Sequence, residues 1–390
     1  MQPELPTTYV RVDRSALKAN YGQVRRVLEQ RTLLCAVVKA NAYGHGLVPT
    51  ARLFAECSCD MLGVASPDEG VELRKGGLET PILVFHPPTR EEAQAAAEHG
   101  LTVTLTDLEH ARYLASAVRD RSQRVDYHVE IDVGLGRSGY QDEPGDLLQA
   151  ARDLLGYPAS GLWAHMGPRM VPDKLPKATP LRWAETSDVP GRLSYLGAQR
   201  TRLRAKDAPA PIFHVAASGA LCDAPWLQWD IVRIGSLLYG AYPSSVRHRP
   251  FSLRPAIELR TRIVELRTVP RGALIGYGGE FRAARPTRLA TLPVGLHHGV
   301  GTLPESTVSV ATGVKRLLAR GHGSRGRAFR APLARLGEQH APLVGRVSLN
   351  ECTIDVTDVP DAKLGDEVTV PARMTTLNPT LPRILVDGDS

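Results

Sequence analysis

Eight short apolar runs, spread between residues 33 and 234, constrain this chain more than any other feature. They are Leu33–Val38, Met61–Ala65, Pro81–Phe85, Thr102–Leu105, Val125–Ile131, Ser160–Ala164, Ile212–Val215 and Ile231–Ile234. Runs this short and mostly apolar read as buried parallel strands. An amphipathic stretch or loop follows each one, which is the pattern of repeated βα units. Eight such units predict a TIM-type (β/α)8 barrel. Helix starts support the spacing. Asp13-Arg14-Ser15 precedes Ala16–Leu28, and Ser66-Pro67-Asp68-Glu69 opens Gly70–Lys75 with a cap, an early proline and acids. Thr89-Arg90-Glu91-Glu92 starts a further helix in the same way.

The pattern changes after Tyr242-Pro243-Ser244. Ile257–Leu266, Ala290–Val294, Val344–Val347 and Cys352–Val356 read as strands, with Gly and Pro between them. The expected division is therefore a barrel over residues 1–242 and a mostly β C-terminal domain over 243–390, with an early strand, Tyr9–Val12, available to the β domain. Met166–Pro190 and an arginine-rich stretch at about 313–340 read as insertions.

The net charge of +7 does not point to nucleic acid. Lys315, Arg316, Arg320, Arg325, Arg327, Arg330 and Arg335 are seven cations with no acid among them, so this one stretch equals the whole excess. Only Phe329 interleaves it with an aromatic ring, too few for a stacking platform. A hydrophobic content of 43% suits a soluble globular chain, and no apolar run is long enough to span a membrane. The N-terminus, Met1-Gln2-Pro3-Glu4, lacks the basic and apolar regions of an export signal. Cys35, Cys57, Cys59, Cys222 and Cys352 are odd in number and scattered, which fits a reducing cytoplasm and forms no zinc pattern.

One lysine carries the chemistry. Lys39 ends the first barrel run in Ala36-Val37-Val38-Lys39-Ala40-Asn41-Ala42-Tyr43-Gly44-His45-Gly46, where a Tyr-Gly-His-Gly turn leads into the next helix. Burial there disfavours the ammonium form, lowers the pKa and frees the amine to attack a carbonyl. The carboxyl end of a barrel strand is where a Schiff-base lysine belongs. A solvated lysine at a strand end is the plainer alternative.

The run resembles the pyridoxal-phosphate attachment signature of the alanine racemase family, and the resemblance extends from Tyr9 to about Asp387. It implies a barrel followed by a β domain, one pyridoxal 5'-phosphate per chain, and a homodimer with shared active sites acting on an amino acid. Lys39 matches the lysine that holds the cofactor and serves as one of two acid/base groups, and Tyr43 a tyrosine on its phosphate. Arg137, in Gly134-Leu135-Gly136-Arg137, matches an arginine near the cofactor phenolate and the substrate carboxylate. His165 matches a histidine packed on the pyridine ring, and Ser218 a phosphate-binding serine. In Arg233-Ile234-Gly235-Ser236, Arg233 matches the arginine facing the pyridine nitrogen, and Gly235 and Ser236 the amides on the phosphate. Tyr277, in Ile275-Gly276-Tyr277-Gly278-Gly279, matches the second acid/base group, reaching the partner chain's cofactor.

Several positions depart from the family. Glu130 stands where many members carry a carbamylated lysine, so a carboxylate is supplied directly, to orient Arg137. In Leu292-Pro293-Val294-Gly295-Leu296-His297-His298-Gly299 the family continues Tyr-Ala-Asp-Gly, so Leu296 replaces a tyrosine that lines substrate entry. In Val344-Gly345-Arg346-Val347-Ser348-Leu349-Asn350-Glu351, Leu349 and Asn350 replace a Met and an Asp at the substrate wall. Ala217 replaces an asparagine, and Leu377–Arg383 resembles the family's closing segment without the preceding helix and its phosphate-contacting tyrosine. The expectation is two-base racemisation of an amino acid, not specific to alanine. A relative of the same fold running decarboxylation or retro-aldol cleavage is the second reading. A cofactor carrier is the third, and Tyr277 in a β domain counts against it.

Overall fold

The computed structural model describes residues 5–118, 124–176, 180, 182–205, 210–244, 246–301 and 332–388. Residues 302–331, and with them most of the arginine-rich stretch expected at about 313–340, lie outside the described residues. Its expected end does not: residues 333–336 and 339–344 form two strands. The chain divides into two compact units, Arg14–Ala256 and Met1–Asp13 with Ile257–Ser390.

In the first unit, eight strands follow one another: β2 (Leu33–Val37), β3 (Met61–Val64), β4 (Ile82–Val84), β5 (Val103–Leu105), β6 (Tyr127–Ile131), β7 (Gly161–Ala164), β8 (Ile212–His214) and β9 (Ile231–Ile234). All neighbours are parallel. Two four-stranded sheets, β4-β3-β2-β9 and β5-β6-β7-β8, are joined by the bridges Leu83↔Thr102 and Ala217↔Arg233 into one closed ring. Nearly every strand residue is buried because the barrel interior takes one face and the surrounding helices the other. Each strand falls inside its apolar run, shortened by up to two residues at an end.

Helix starts follow side-chain chemistry. Thr89 caps Arg90–Glu98 in a full capping box with Glu92, satisfying two otherwise orphaned backbone donors. Pro67–Lys75 begins after Ser66 with proline in its first turn, but the Ser66 side chain makes no cap bond. The carboxylate of Glu69 turns instead toward the end of the barrel, accepting from Ala40 N at 2.6 Å and Ala65 N at 2.8 Å.

The second unit holds a nine-stranded sheet. Strand β1 (Tyr9–Asp13) lies in it, antiparallel to β10 (Ile257–Arg262) and parallel to β19 (Arg383–Val386). The other strands are β11 (Glu265–Val269), β14 (Thr287–Leu292), β15 (Leu333–Leu336), β16 (Gln339–Val344), β17 (Cys352–Asp355) and β18 (Glu367–Val370), with a separate hairpin of β12 (Leu274–Ile275) and β13 (Phe281–Arg282). The single run expected over Ile257–Leu266 is two strands. The strand expected over Val344–Val347 lies earlier, as β16, which ends at Val344 where Gly345 turns the chain at φ 71°. The hairpin β12–β13 and strands β15, β18 and β19 were not anticipated. Of these, β15 and β18 alternate over only four residues, too short a stretch to stand out, and β19 is half-buried throughout with no alternation.

Candidate active site

The carboxyl ends of the barrel strands enclose a cavity of about 310 Å³. Lys39, Tyr43, Glu130, Arg137, His165, Ser218, Arg233, Gly235 and Ser236 all line it, drawn from five separate strand ends. Ala217 lines it as well, with Phe85, Ser138 and Trp163, which sequence reasoning had not assigned. Tyr277, Leu349 and Asn350 are in the other unit. Tyr277 is 72% exposed and lines a depression there with Arg346, Ser348 and Glu351. Leu349 is 64% exposed.

Lys39 emerges from β2 into an unusual turn. Ala40, Asn41, Ala42 and Tyr43 all hold φ between 51° and 55°, a left-handed path that L residues avoid. Each such residue costs roughly 1–2 kcal/mol, so surrounding bonds must over-determine the turn. They do: Asn41 Oδ1 accepts from Leu47 N at 2.8 Å, and Glu69 holds Ala40 N. The turn sets Lys39 with its Nζ 5.9 Å from the Phe85 ring centre. Burial, then the neighbouring Arg137 charge, pushes the Lys39 pKa below its ordinary value, while Glu69 opposes the shift. The amine is thereby biased toward its neutral, nucleophilic form.

The neighbouring strand end, after β9, builds a corner with Tyr43. Gly235 N donates to Ser218 Oγ at 3.1 Å. A side chain at Gly235 would have its Cβ 2.9 Å from Tyr43 Cζ and closer still to the Tyr43 hydroxyl, so only glycine lets the tyrosine in. Tyr43 cannot retreat, because its ring stacks on buried Tyr239 at 4.8 Å, and Tyr239 Oη donates to Val37 O at 3.0 Å.

Arg233 is 3% exposed and tied in place. Its Nη1 donates to His214 O at 2.8 Å and lies 2.8 Å from His214 Nδ1, while Nη2 donates to Ala164 O at 2.8 Å. Its guanidinium lies 4.7 Å from the Trp163 ring centre. Burial lowers its pKa to about 10, so it remains a cation at neutral pH. Because Nη1 can only donate, His214 Nδ1 must be the acceptor, and the His214 proton sits on Nε2. That nitrogen is 2.9 Å from His128 Nδ1. Burial and then the Arg233 charge push His128 down to about 3 and His214 well below its ordinary value. The chain from Arg233 through His214 to His128 therefore holds one cation and two neutral rings. His165 is pushed down to about 3 by burial and then by Arg233, so it too presents a neutral ring.

Glu130 is 3% exposed and accepts from Ser138 Oγ at 2.8 Å. Burial raises its pKa, opposed first by the Ser138 bond and then by the Arg137 charge. Among the described residues, Arg137 makes no hydrogen bond or ion pair with it; the two interact through space. The loop carrying both Arg137 and Ser138 is shaped by Asp132, whose Oδ1 accepts from Gly134 N at 2.8 Å and Gly136 N at 3.2 Å.

These residues fit a phosphate-bearing aldehyde of pyridoxal 5'-phosphate size. A neutral-prone lysine faces the cavity for the aldehyde. A serine, a tyrosine and the Gly235-Ser236 backbone form a corner for the phosphate. A pinned arginine and a neutral histidine line the same cavity and could hold a heteroaromatic ring. No group of three His, Cys, Asp or Glu residues suited to a metal occurs among the described residues. No helix among them is long and apolar enough to cross a membrane.

Several contributors were missed because their roles are tertiary. Glu69 read as an early helical acid, and His214 as one residue of the run Ile212–Val215. Ser138 and Trp163 carried no signal beyond lying near the assigned residues.

Comparison with known proteins agrees with this geometry. Residues 12–243 match the family described as "Alanine racemase, N-terminal domain", and residues 256–381 match "Alanine racemase, C-terminal domain". "Alanine racemase 2" of Caldanaerobacter subterraneus subsp. tengcongensis is 32% identical over 374 residues, covering 95% of this chain and 87% of that one. Alanine racemase of Syntrophobacter fumaroxidans is 32% identical over 365 residues, covering 93% and 87%. The solved structure of alanine racemase from Clostridium difficile 630 superposes with a TM-score of 0.77 at 24% identity, covering 99% of this chain and 97% of that one. With both domains matched and the barrel cavity built as described, the chain belongs to the alanine racemase family of pyridoxal-phosphate-dependent amino-acid racemases.

Proposed function

We propose that this chain racemises an amino acid other than, or broader than, alanine, by a two-base reaction in a cytoplasmic homodimer with shared sites. The observation that carries the racemase reading is the cavity joining Lys39, Arg137, His165, Ser218 and Arg233 on one barrel end. Pyridoxal phosphate, when bound, supplies an electron sink that weakens the bond from the substrate Cα to hydrogen.

The chain's own residues do the rest. Lys39 Nζ holds the cofactor and exchanges a proton with Cα on one face. The Tyr277 oxygen of the partner copy serves the other face, in a depression it shares with Arg346. Tyr43, Ser218, Gly235 and Ser236 grip the phosphate. Arg233, a pinned cation, would face the ring nitrogen and disfavour a proton there, which would favour quick reprotonation at Cα over side reactions. Arg137 binds the phenolate oxygen and the substrate carboxylate, and Glu130, held by Ser138, supplies the negative charge that orients it. Leu349 and Asn350 form part of the substrate wall.

The broader substrate rests on where the departures fall. Ala217 opens the barrel cavity, and Leu296, Leu349 and Asn350 lie together on two bonded loops of the β unit. Incubating the protein with a panel of L-amino acids in deuterium oxide, then following Cα exchange and chirality, tests the reading. Exchange with inversion is expected, fastest for an amino acid larger than alanine. Loss of carbon dioxide or cleavage of the side chain would replace racemisation with another reaction. A clear preference for alanine would remove the altered-wall argument.

A further inference from the structure

Beside Tyr277, three loops of the β unit are stitched into one surface. Leu296 N donates to Ser348 O and His297 N to Leu349 O, both at 2.9 Å. Ser348 belongs to the Tyr277 depression. On the far side, Asn378 fastens to His297: its Nδ2 donates to His297 O at 3.2 Å and lies 2.9 Å from His297 Nε2. Asn378 Oδ1 accepts from Thr380 N at 2.9 Å and Thr380 Oγ1 at 2.8 Å.

These bonds decide a tautomer. A backbone N–H can only donate, so Thr380 N assigns the amide oxygen to its own side and the amide NH2 to the histidine. An NH2 can only donate as well, so His297 Nε2 must offer its lone pair. The proton of the neutral ring is then on Nδ1. Among the described residues Nδ1 has no partner, and the side chain is exposed. His298 differs: its Nδ1 accepts from Gly295 N at 3.1 Å and serves its own loop.

We infer that His297 is a specificity-determining residue, offering its Nδ1–H to an oxygen on the side chain of the substrate amino acid, with Asn378 as the positioning residue that sets the tautomer. This rests on the reading above that Tyr277 and its neighbouring loops serve the partner's site. Exposed Leu296 and Leu349, on the same bonded loops, suit a methylene stem behind that oxygen. The substrate class is thus an amino acid with a short apolar stem ending in a carbonyl or carboxylate oxygen. Alanine's methyl group offers nothing to accept the bond.

Two measurements on the full-length holoenzyme test it. Histidine 15N spectra, with His297→Gln identifying the signal, should show Nδ1 protonated in the wild type and averaged tautomers in Asn378→Leu. Turnover of glutamine and of glutamate should each be compared with alanine as a ratio of kcat/KM. Either ratio should fall about tenfold in both His297→Leu and Asn378→Leu, the size of one lost hydrogen bond. A fall for glutamine alone assigns an amide, and for glutamate alone a carboxylate. A proton on Nε2, or unchanged ratios while racemisation continues, overturns the inference and leaves the racemase reading standing. No Cα exchange with any amino acid overturns both.

Discussion

Replacing Gly235 with alanine tests the phosphate corner by the smallest change available. The new Cβ would sit 2.9 Å from Tyr43 Cζ, 3.3 Å from Tyr43 Cε2 and nearer still to Oη. The ring cannot move away through the core, since Tyr239 stacks behind it at 4.8 Å and is itself bonded to Val37 O. Relief therefore pushes Tyr43 toward the cavity or shifts the Gly235 backbone off Ser218. Overpacking of this kind costs ~1–3 kcal/mol. If the bound state bears all of it, cofactor affinity weakens by about five- to 150-fold. Urea unfolding of the apo protein, with absorbance titration by pyridoxal phosphate, separates the two effects. Tyr43→Phe removes the closest atom, so the double variant should regain part of the stability lost by Gly235→Ala, a coupling that a double-mutant cycle reads directly. Wild-type stability and affinity in Gly235→Ala would refute the steric account of this glycine.

Lys39→Ala should yield a colourless protein, whereas the wild type should be yellow with an absorbance that borohydride removes; a colourless wild type that takes up no added cofactor contradicts the assignment. Lys39 also bears on apo stability. Its folded pKa is lowered, so the unfolded chain binds more protons between the folded value and the ordinary lysine range, and stability rises with pH across that window. Lys39→Met should therefore unfold later than wild type at neutral pH, with the gap closing as pH approaches that range; a gap that stays constant shows no linkage. Tyr277→Phe should keep the colour and slow racemisation strongly, with unequal losses in the two directions, since each base serves one face; equal mild losses would make Tyr277 structural. Mixing Lys39→Ala and Tyr277→Phe chains should restore activity through one intact hybrid site, and no recovery after verified subunit exchange counts against sharing. Glu130→Gln should weaken cofactor binding and turnover beyond its change in size, and unchanged values of both would remove its role toward Arg137.

Much of the barrel was legible because buried parallel strands favour apolar runs, as at Leu33–Val37 and Ile82–Val84. The buried Lys39 was legible for a related reason: a lysine closing such a run faces desolvation wherever the chain folds. Strand β19 was not, because Arg383–Val386 is half-buried and takes its identity from pairing with β1, some 370 residues earlier. The same limit applied to chemistry. Nothing local to Glu69 tells that it braces the Lys39 turn. His214 and His128 became neutral partners of Arg233 only when β6, β8 and β9 brought three distant side chains into one dry space. Sequence alone determined which residue types were on hand and which segments had to be buried. Tertiary structure decided which of them met, which protons they hold, and where glycine alone fits, because hydrogen-bond direction and close packing act between atoms whose separation in space is independent of their separation along the chain.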